Sequence, residues 1–170
     1  MLDTKVAELL NNQINKEFYS AYLYLDMSNY YEEQGLSGFA NWFKIQAQEE
    51  RDHAMLFMAY LQNNGGKVKL ETIDAPNKEY NQFVEPLKET LEHERYVTNL
   101  IHTIYDAAHS AKDFRTMQFL DWFVKEQGEE EKNADDLIKK YTLFGSDAKG
   151  LYALDSEMAS RVYAAPTLTV

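Results

Sequence analysis

Residues 43–61 read FKIQAQEERDHAMLFMAYL, and this stretch decides the fold. Phe43, Ala47, Glu50, Ala54, Phe57 and Leu61 recur at intervals of three or four, the period of one face of an α-helix. All are apolar but Glu50, and His53 stands three residues beyond it on the same face. A carboxylate and an imidazole one turn apart can reach a single ion. Set in an apolar stripe, they need compensating charge from elsewhere in the fold.

Three more stripes share the pattern. Val6, Leu10, Gln13, Glu17, Ala21, Tyr24, Ser28 and Tyr31 make the first, Leu87, Leu91, Glu94, Thr98, Ile101, Tyr105 and Ala108 the third, and Phe119, Phe123, Gln127, Glu130, Ala134 and Leu137 the fourth. Gly35, Gly38, Gly65, Gly66, Pro76, Pro86, Gly145 and Gly150 punctuate the chain and leave long helical intervals. Capping residues and glycines predict helices over about 4–34, 37–64, 81–111, 113–141 and 146–159. Asp3 or Thr4 caps the first, Ser37 opens the second, Asp113 caps the fourth and Ser146 the short fifth. Pro86 must lie in the first turn of the third helix, and Lys139 and Lys140 in the last turn of the fourth, where they favour its dipole. The tail AAPTLTV is expected to be extended or loose.

Short links between the first and second helices, and between the third and fourth, force antiparallel pairs. The stretch GGKVKLETIDAPNKEYNQ between the pairs can extend about 59 Å at roughly 3.3 Å per residue. A 30-residue helix is only about 45 Å long. The link can therefore cross the whole bundle, although the same length would also serve as a flexible linker between two hairpins. The predicted fold class is all-α: a single domain over 1–170, a four-helix bundle with one long crossover and a short C-terminal fifth helix.

The polar residues share one depth. Counted from the predicted helix starts, Glu17, Glu50 and Glu94 each lie 13 residues in and Gln127 lies 14 in, and the Glu17–Glu50 and Glu94–Gln127 spacings are both 33 residues. Mid-helix positions of antiparallel helices meet at one level, so a pseudo-two-fold cluster of carboxylates is expected inside the bundle. Such carboxylates cost several kcal/mol apiece unless something positive lies among them. One histidine cannot supply that charge; bound cations can. With no cysteine in the chain, thiolate sites, disulfides and cysteine nucleophiles are excluded, and the oxygen-rich donors suit iron or manganese, or less specifically zinc. The 17 Lys and Arg against 28 Asp and Glu give a net charge of −11, which argues against a nucleic-acid partner. No stretch has the apolar length of a membrane span, and the N-terminus lacks a secretory pattern, so a soluble cytoplasmic protein is expected.

These residues carry a resemblance. Glu17, Glu50 with His53, Glu94, and Gln127 with Glu130 are similar, position by position, to the ferroxidase centre of the ferritins, and the chain most resembles the haem-free prokaryotic ferritins over nearly its full length. The fourth helix carries Gln127-x-x-Glu130 where a bacterioferritin would have Glu-x-x-His, and Arg51 stands where that group has a haem-ligating Met, so no haem is expected. The resemblance implies that Glu17, Glu50 and His53 hold one iron, that Glu94 and Glu130 hold the second, and that Glu50 bridges. Gln127 resembles the neutral neighbour at that site, and Tyr24, two turns beyond Glu17, the tyrosine that donates an electron or a hydrogen bond. Glu49, Glu126 and Glu129, with Glu130 shared, match the additional iron site of prokaryotic members, although EQGEEEKNADD also reads as a solvated acidic face. Trp122 resembles a redox-active Trp of some members, where packing alone would also place an aromatic. His93, His102 and His109 are read as surface or internally satisfied histidines.

The implied activity is ferroxidation: Fe(II) is oxidised by dioxygen or hydrogen peroxide, and ferric oxide is stored in a hollow homo-oligomeric shell of 24 subunits. The fifth helix would line its four-fold axis. Asp113 resembles an acid of the three-fold channel, with Thr116 where some ferritins have a second. Tyr30, Phe39, Trp42 and Phe83, read as outward-facing, suit either subunit contacts or core. A related peroxidase, or a metal-free helical scaffold, are the competing readings; the scaffold leaves the four buried carboxylates unexplained.

Overall fold

In the computed structural model, which describes residues 2–170, the chain forms α1 (Thr4–Glu33), α2 (Ser37–Asn63), α3 (Glu85–Ser110), α4 (Phe114–Phe144) and α5 (Ala148–Met158). Asp3 caps α1 by accepting from the N–H groups of Lys5 at 2.9 Å and Val6 at 3.3 Å. Asp113 caps α4, its two carboxylate oxygens taking the N–H of Thr116 at 3.1 Å and its hydroxyl at 2.6 Å. Thr116 is thus fully buried and also bonds Tyr60. Gly35 and Gly65 sit at φ +76° and +77°, the left-handed conformation that ends α1 and α2 at low steric cost.

Several expected boundaries shift. α3 begins at Glu85 rather than near 81, because Glu85 Oε2 reaches back to the N–H groups of Asn81 (2.6 Å) and Gln82 (3.1 Å) and holds them in a turn; Pro86 lies in the first turn as required. α4 runs on to Phe144, so Lys139 and Lys140 precede its last turn. Asp147, not Ser146, caps α5, accepting from Lys149 and Gly150. The N-cap of α2 is Leu36, which offers no side-chain acceptor. The carboxylate comes instead from α5: Asp155 Oδ1 accepts the N–H of Phe39 at 3.0 Å, and Gly38 lets the two backbones approach.

α1 packs along α2 and α3 along α4, α1 also meets α3, and α5 lies against α2 and α4. The crossover, residues 64–84, is pinned to α1: Asn11 exchanges two hydrogen bonds with the backbone of Lys69 (3.0 and 2.8 Å), and Asn15 donates to Thr72 O at 3.0 Å. Across the α2–α4 face, Phe57 lies 4.3 Å from Phe123 and Tyr60 stacks on Phe119 at 4.0 Å, ring to ring. Among the described residues no helix is long and apolar enough to cross a membrane.

The apolar core divides in two. One cluster gathers Val6, Leu10, Ile14, Phe57, Leu61, Ile101, Leu120 and Phe123. The other gathers Tyr24, Met27, Tyr31, Phe39, Trp42, Phe43, Leu87 and Leu137 together with Leu154 and Met158 of α5. Phe39 and Trp42 are therefore core, not outward-facing, because α5 covers the start of α2; Tyr30 and Phe83 are half-buried against the same cluster. Exposed apolar side chains lie elsewhere, Tyr22 and Leu25 on α1 among them. The inner face of α3 is also rotated from expectation: Thr90, Val97 and Ile104 are buried, while Leu91, Thr98 and Tyr105 flank them.

Candidate metal centre

Between the two apolar clusters every long helix contributes polar side chains that water does not reach. Gln13 and Glu17 come from α1, Gln46, Glu50 and His53 from α2, Glu94 from α3, and Gln127 and Glu130 from α4, each no more than 5% exposed. Helical phase alone puts them there, since each takes an apolar place in its stripe. Glu17, Glu50 and His53 each present a donor atom within 4.8 Å of the others. Glu94 and Glu130 face them but are held by neutral donors. Tyr24 donates its hydroxyl to Glu94 Oε1, and Gln127 Nε2 donates to Glu94 Oε2 at 3.1 Å. Gln46 Nε2 donates at 3.0 Å to both Glu50 Oε1 and Glu130 Oε2, tying the two halves together.

The electrostatics show how the cluster exists without a metal. Burial, then the Glu50 charge, raises Glu17 to about 8; burial, then Glu50 again, raises Glu130 to about 8. Glu94 is pushed well above the carboxylate range by burial, Glu50 and Glu130. Burial would raise Glu50 as well, but His53, 3.3 Å away, outweighs it and holds Glu50 low. Burial would lower His53, and the charge and hydrogen bond of Glu50 overcome it, raising the imidazole to about 10. Near neutral pH the layer thus holds one ion pair and three protonated carboxyls.

The donor set fits a hard divalent ion. It offers carboxylate oxygens and one imidazole, and Glu17 Oε2 is buried with no hydrogen-bond partner, an oxygen left free beside Glu50 and His53. With Glu17 protonated, Oε1 accepts from Gln13 and Oε2 carries the hydroxyl, so a proton occupies the place that a cation would take beside Glu50 and His53.

Around this layer the other expected residues take distinct places. Glu49 and Glu126 are half-buried and Glu129 exposed, together lining a cleft of about 320 Å³ with His53 and Trp122. The cleft is also lined by residues 164–167 of the tail, which has no regular secondary structure but is held at Thr167 by the Trp122 N–H. Trp122 packs on His53 at 5.6 Å and donates its N–H to Thr167. His93 is internally satisfied by Ser20 at 2.7 Å, beside Tyr24, whereas His102 and His109 are exposed. Arg51 points out to solvent. Sequence reading gave no role to Gln46 or to the tail. Gln46 precedes Glu50 by four residues just as Gln13 precedes Glu17, and Gln13 donates to Glu17 at 2.7 Å, so the repeated Gln-x-x-x-Glu spacing was the available signal.

Four long helices, one long crossover and a waist of Glu and Glu-x-x-His place the molecule in the ferritin-like class of helical bundles. The family model for the ferritin-like domain matches residues 7–144. A probable bacterial non-heme ferritin-like protein of Haemophilus influenzae is 37% identical over 160 residues, 94% of this chain and 97% of the relative. The bacterial non-heme ferritin of Staphylococcus epidermidis is 36% identical over 96% of this chain and 98% of its own length. Among solved structures, an engineered closed form of the Archaeoglobus fulgidus ferritin superposes with a TM-score of 0.94 at 43% identity, covering 96% of this chain and 100% of the other. The open-pore ferritin of the same hyperthermophilic archaeon gives 0.92 at 43% identity over 95% and 98%. The chain belongs to the ferritin family of iron-storage proteins, on its haem-free prokaryotic side.

Proposed function

We propose that this chain is a ferroxidase: it takes up two Fe(II) ions in the waist of the bundle, oxidises them, and passes Fe(III) to a ferric oxide mineral stored within a homo-oligomeric cage of 24 subunits. The observation that carries this reading is Glu17 Oε2, a buried oxygen without a partner beside Glu50 and His53, where a bound cation can replace a proton. Glu17, Glu50 and His53 hold the first iron and Glu94 and Glu130 the second, with Glu50 shared. Gln127, a neutral amide, is a weak ligand at most and leaves the product exchangeable. Tyr24 orients Glu94 through its hydroxyl. Glu49, Glu126 and Glu129, with Glu130, form the third, outer iron site.

Each Fe(II) gives up one electron, and dioxygen or hydrogen peroxide accepts them in pairs. The chain's part is to position the ions and tilt the equilibrium: hard anionic oxygens bind Fe(III) better than Fe(II). The net charge of −11 draws cations toward the protein and into the shell. Residues 1–170 work as one domain, in the cytoplasm, where Fe(II) is at hand, and exposed Tyr22 and Leu25 suit contacts between subunits.

The test is aerobic addition of Fe(II) to metal-free protein, with ferric absorbance followed by stopped flow and the product sized by chromatography. Fast oxidation saturating at about two or three irons per chain, then slower mineral growth in a large particle, is the expected result. Glu50→Ala should abolish the fast phase. Oxidation no faster than in buffer, or a normal rate in Glu50→Ala, overturns the assignment.

A further inference from the structure

Three side chains of the segment beyond α5 pin it across the face of α2 and α4, and Asn41 of α2 also donates to the backbone carbonyls of Ala159 and Arg161. Arg161 places its guanidinium 4.3 Å above the Trp42 ring, donates to Trp42 O at 3.2 Å and reaches Glu49 Oε2 at 2.5 Å. Tyr163 donates its hydroxyl to Asp52 Oδ2 at 2.5 Å, and Thr167 Oγ1 accepts the Trp122 N–H at 3.2 Å. Between the last two pins, Ala164, Ala165 and Pro166 roof the cleft whose floor holds Glu49, Glu126, Glu129 and His53.

We propose that this segment is a metal-displaced strap: the Arg161 guanidinium occupies Glu49 in place of iron, and a metal ion on the outer site and a closed strap exclude one another. The inference rests on the reading of Glu49, Glu126 and Glu129 as an iron site. Glu49 has one strong cationic partner in the metal-free chain, and the Arg161 and Glu49 side chains are only 20% and 18% exposed. An ion taken up by the Glu49 carboxylate competes with that guanidinium for the same oxygens. Lys125, 3.4 Å from Glu129 but 78% exposed, is a far weaker competitor. His53 lies on the cleft floor, so the strap also covers the side on which the outer site communicates with the waist. The coupling is reciprocal: whatever factor the strap takes from metal affinity, the metal takes from strap closure. Once Arg161 lets go, the segment keeps the Tyr163 and Thr167 hydrogen bonds and the packing of Leu168 on the core but has lost its one ionic contact. Iron arriving at the outer site would then open its own path.

The experiment is anaerobic titration of the metal-free full chain with Fe(II), in the wild type, Arg161→Gln and Tyr163→Phe, with hydrogen exchange of residues 161–168 measured in the wild type. Arg161→Gln should bind the third Fe(II) about five-fold more tightly, the effect of losing one partly buried ion pair, with the first two ions unchanged. Tyr163→Phe, which loosens the strap without touching Glu49, should shift affinity the same way by less. In the wild type, amides of 161–168 should exchange faster once the third ion binds. Unchanged or weaker third-ion affinity in Arg161→Gln, with unaltered exchange, overturns the strap and leaves the outer site standing. If no third Fe(II) binds to any of the three proteins, the outer site itself is wrong and the strap falls with it. Should Arg161→Gln misfold, Tyr163→Phe and the wild-type exchange decide.

Discussion

Replacing Glu17 by Gln should stabilise the metal-free protein at mildly alkaline pH far more than in weak acid. Burial and the Glu50 charge raise Glu17 from 4.5 to about 8 in the folded chain, whereas in the unfolded chain it ionises near 4.5. Between those values the folded state keeps a proton that the unfolded state has shed, so stability falls by about 1.4 kcal/mol for each pH unit of rise. The penalty is absent below about 4.5 and complete above about 8. Between about pH 5.5 and pH 8 it amounts to roughly 3 kcal/mol. A Gln at 17 does not titrate, and its carbonyl can still accept from Gln13, which donates to Glu17 Oε1 at 2.7 Å.

The wild type should also weaken with rising pH through Glu130, raised to about 8, and through His53, whose contribution is lost as pH climbs from 6.5 to about 10. Both remain in the variant, His53 losing only the part of its shift that Glu17 supplies after Glu50, so the difference between the two proteins reports chiefly on Glu17. The assay is thermal unfolding of chelator-treated protein at equal protomer concentration, since assembly makes the midpoint concentration-dependent. A chain of this size shifts about 2–4 °C per kcal/mol, so the advantage of Glu17→Gln should widen by roughly 6–12 °C between the two pH values. Saturating Fe(II), added without oxygen, should reverse the order, because the variant has lost an anionic ligand. A difference that is the same at both pH values would refute the picture of Glu17 as a carboxyl kept protonated by burial.

Gly38→Ala would place a Cβ 1.7 Å from Asp155 O, forcing α5 off the start of α2 and losing the Asp155 cap on Phe39. A loss of about 2–4 kcal/mol in thermal unfolding is expected, with Gly128→Ala, open to solvent on α4, as a control that gains up to about 1 kcal/mol. Binding of Fe(II) to the metal-free protein at about pH 7 should release about three to four protons per chain, from Glu17, Glu94, Glu130 and His53. Calorimetry in buffers of different ionisation heat measures this, and a release below about one proton would show that the carboxyls are already ionised.

The bundle was readable because its logic is local. Period, Asp3 and Asp113 as caps, and glycines after α1 and α2 each act within one turn, and they placed the four long helices to within a few residues. What could not be read depends on distant partners. The cap of α2 comes from Asp155, 116 residues away, and the same contact with α5 makes Phe39 and Trp42 core. On α3 the inner face spans enough of the circumference for Leu91 or Thr90 to be its centre, and only packing against α1 and α4 chooses Thr90. Within the site, helical phase placed the carboxylates but not their protons. That Gln46 would serve both Glu50 and Glu130 is a property of the α2–α4 distance, not of either helix.

Charge balance gives the waist its chemical direction on the proposed reading. Without metal, ionised Glu50 and protonated His53 cancel, and Glu17, Glu94 and Glu130 are neutral. With two Fe(II), four ionised carboxylates face four positive charges and His53 is a neutral ligand, so the buried layer is again uncharged. A fifth ionised carboxylate would spoil this second balance, which is a physical reason for an amide at Gln127, where it also donates to Glu94 at 3.1 Å. Oxidation adds two positive charges that no remaining side chain of the layer can neutralise. Burying such charge is costly, so the ferric pair is stabilised only by taking anionic oxygen from water or by leaving the waist. On the proposed reading the site is thus balanced for Fe(II) and for protons but not for its product, and that imbalance would favour the passage of Fe(III) onward to storage.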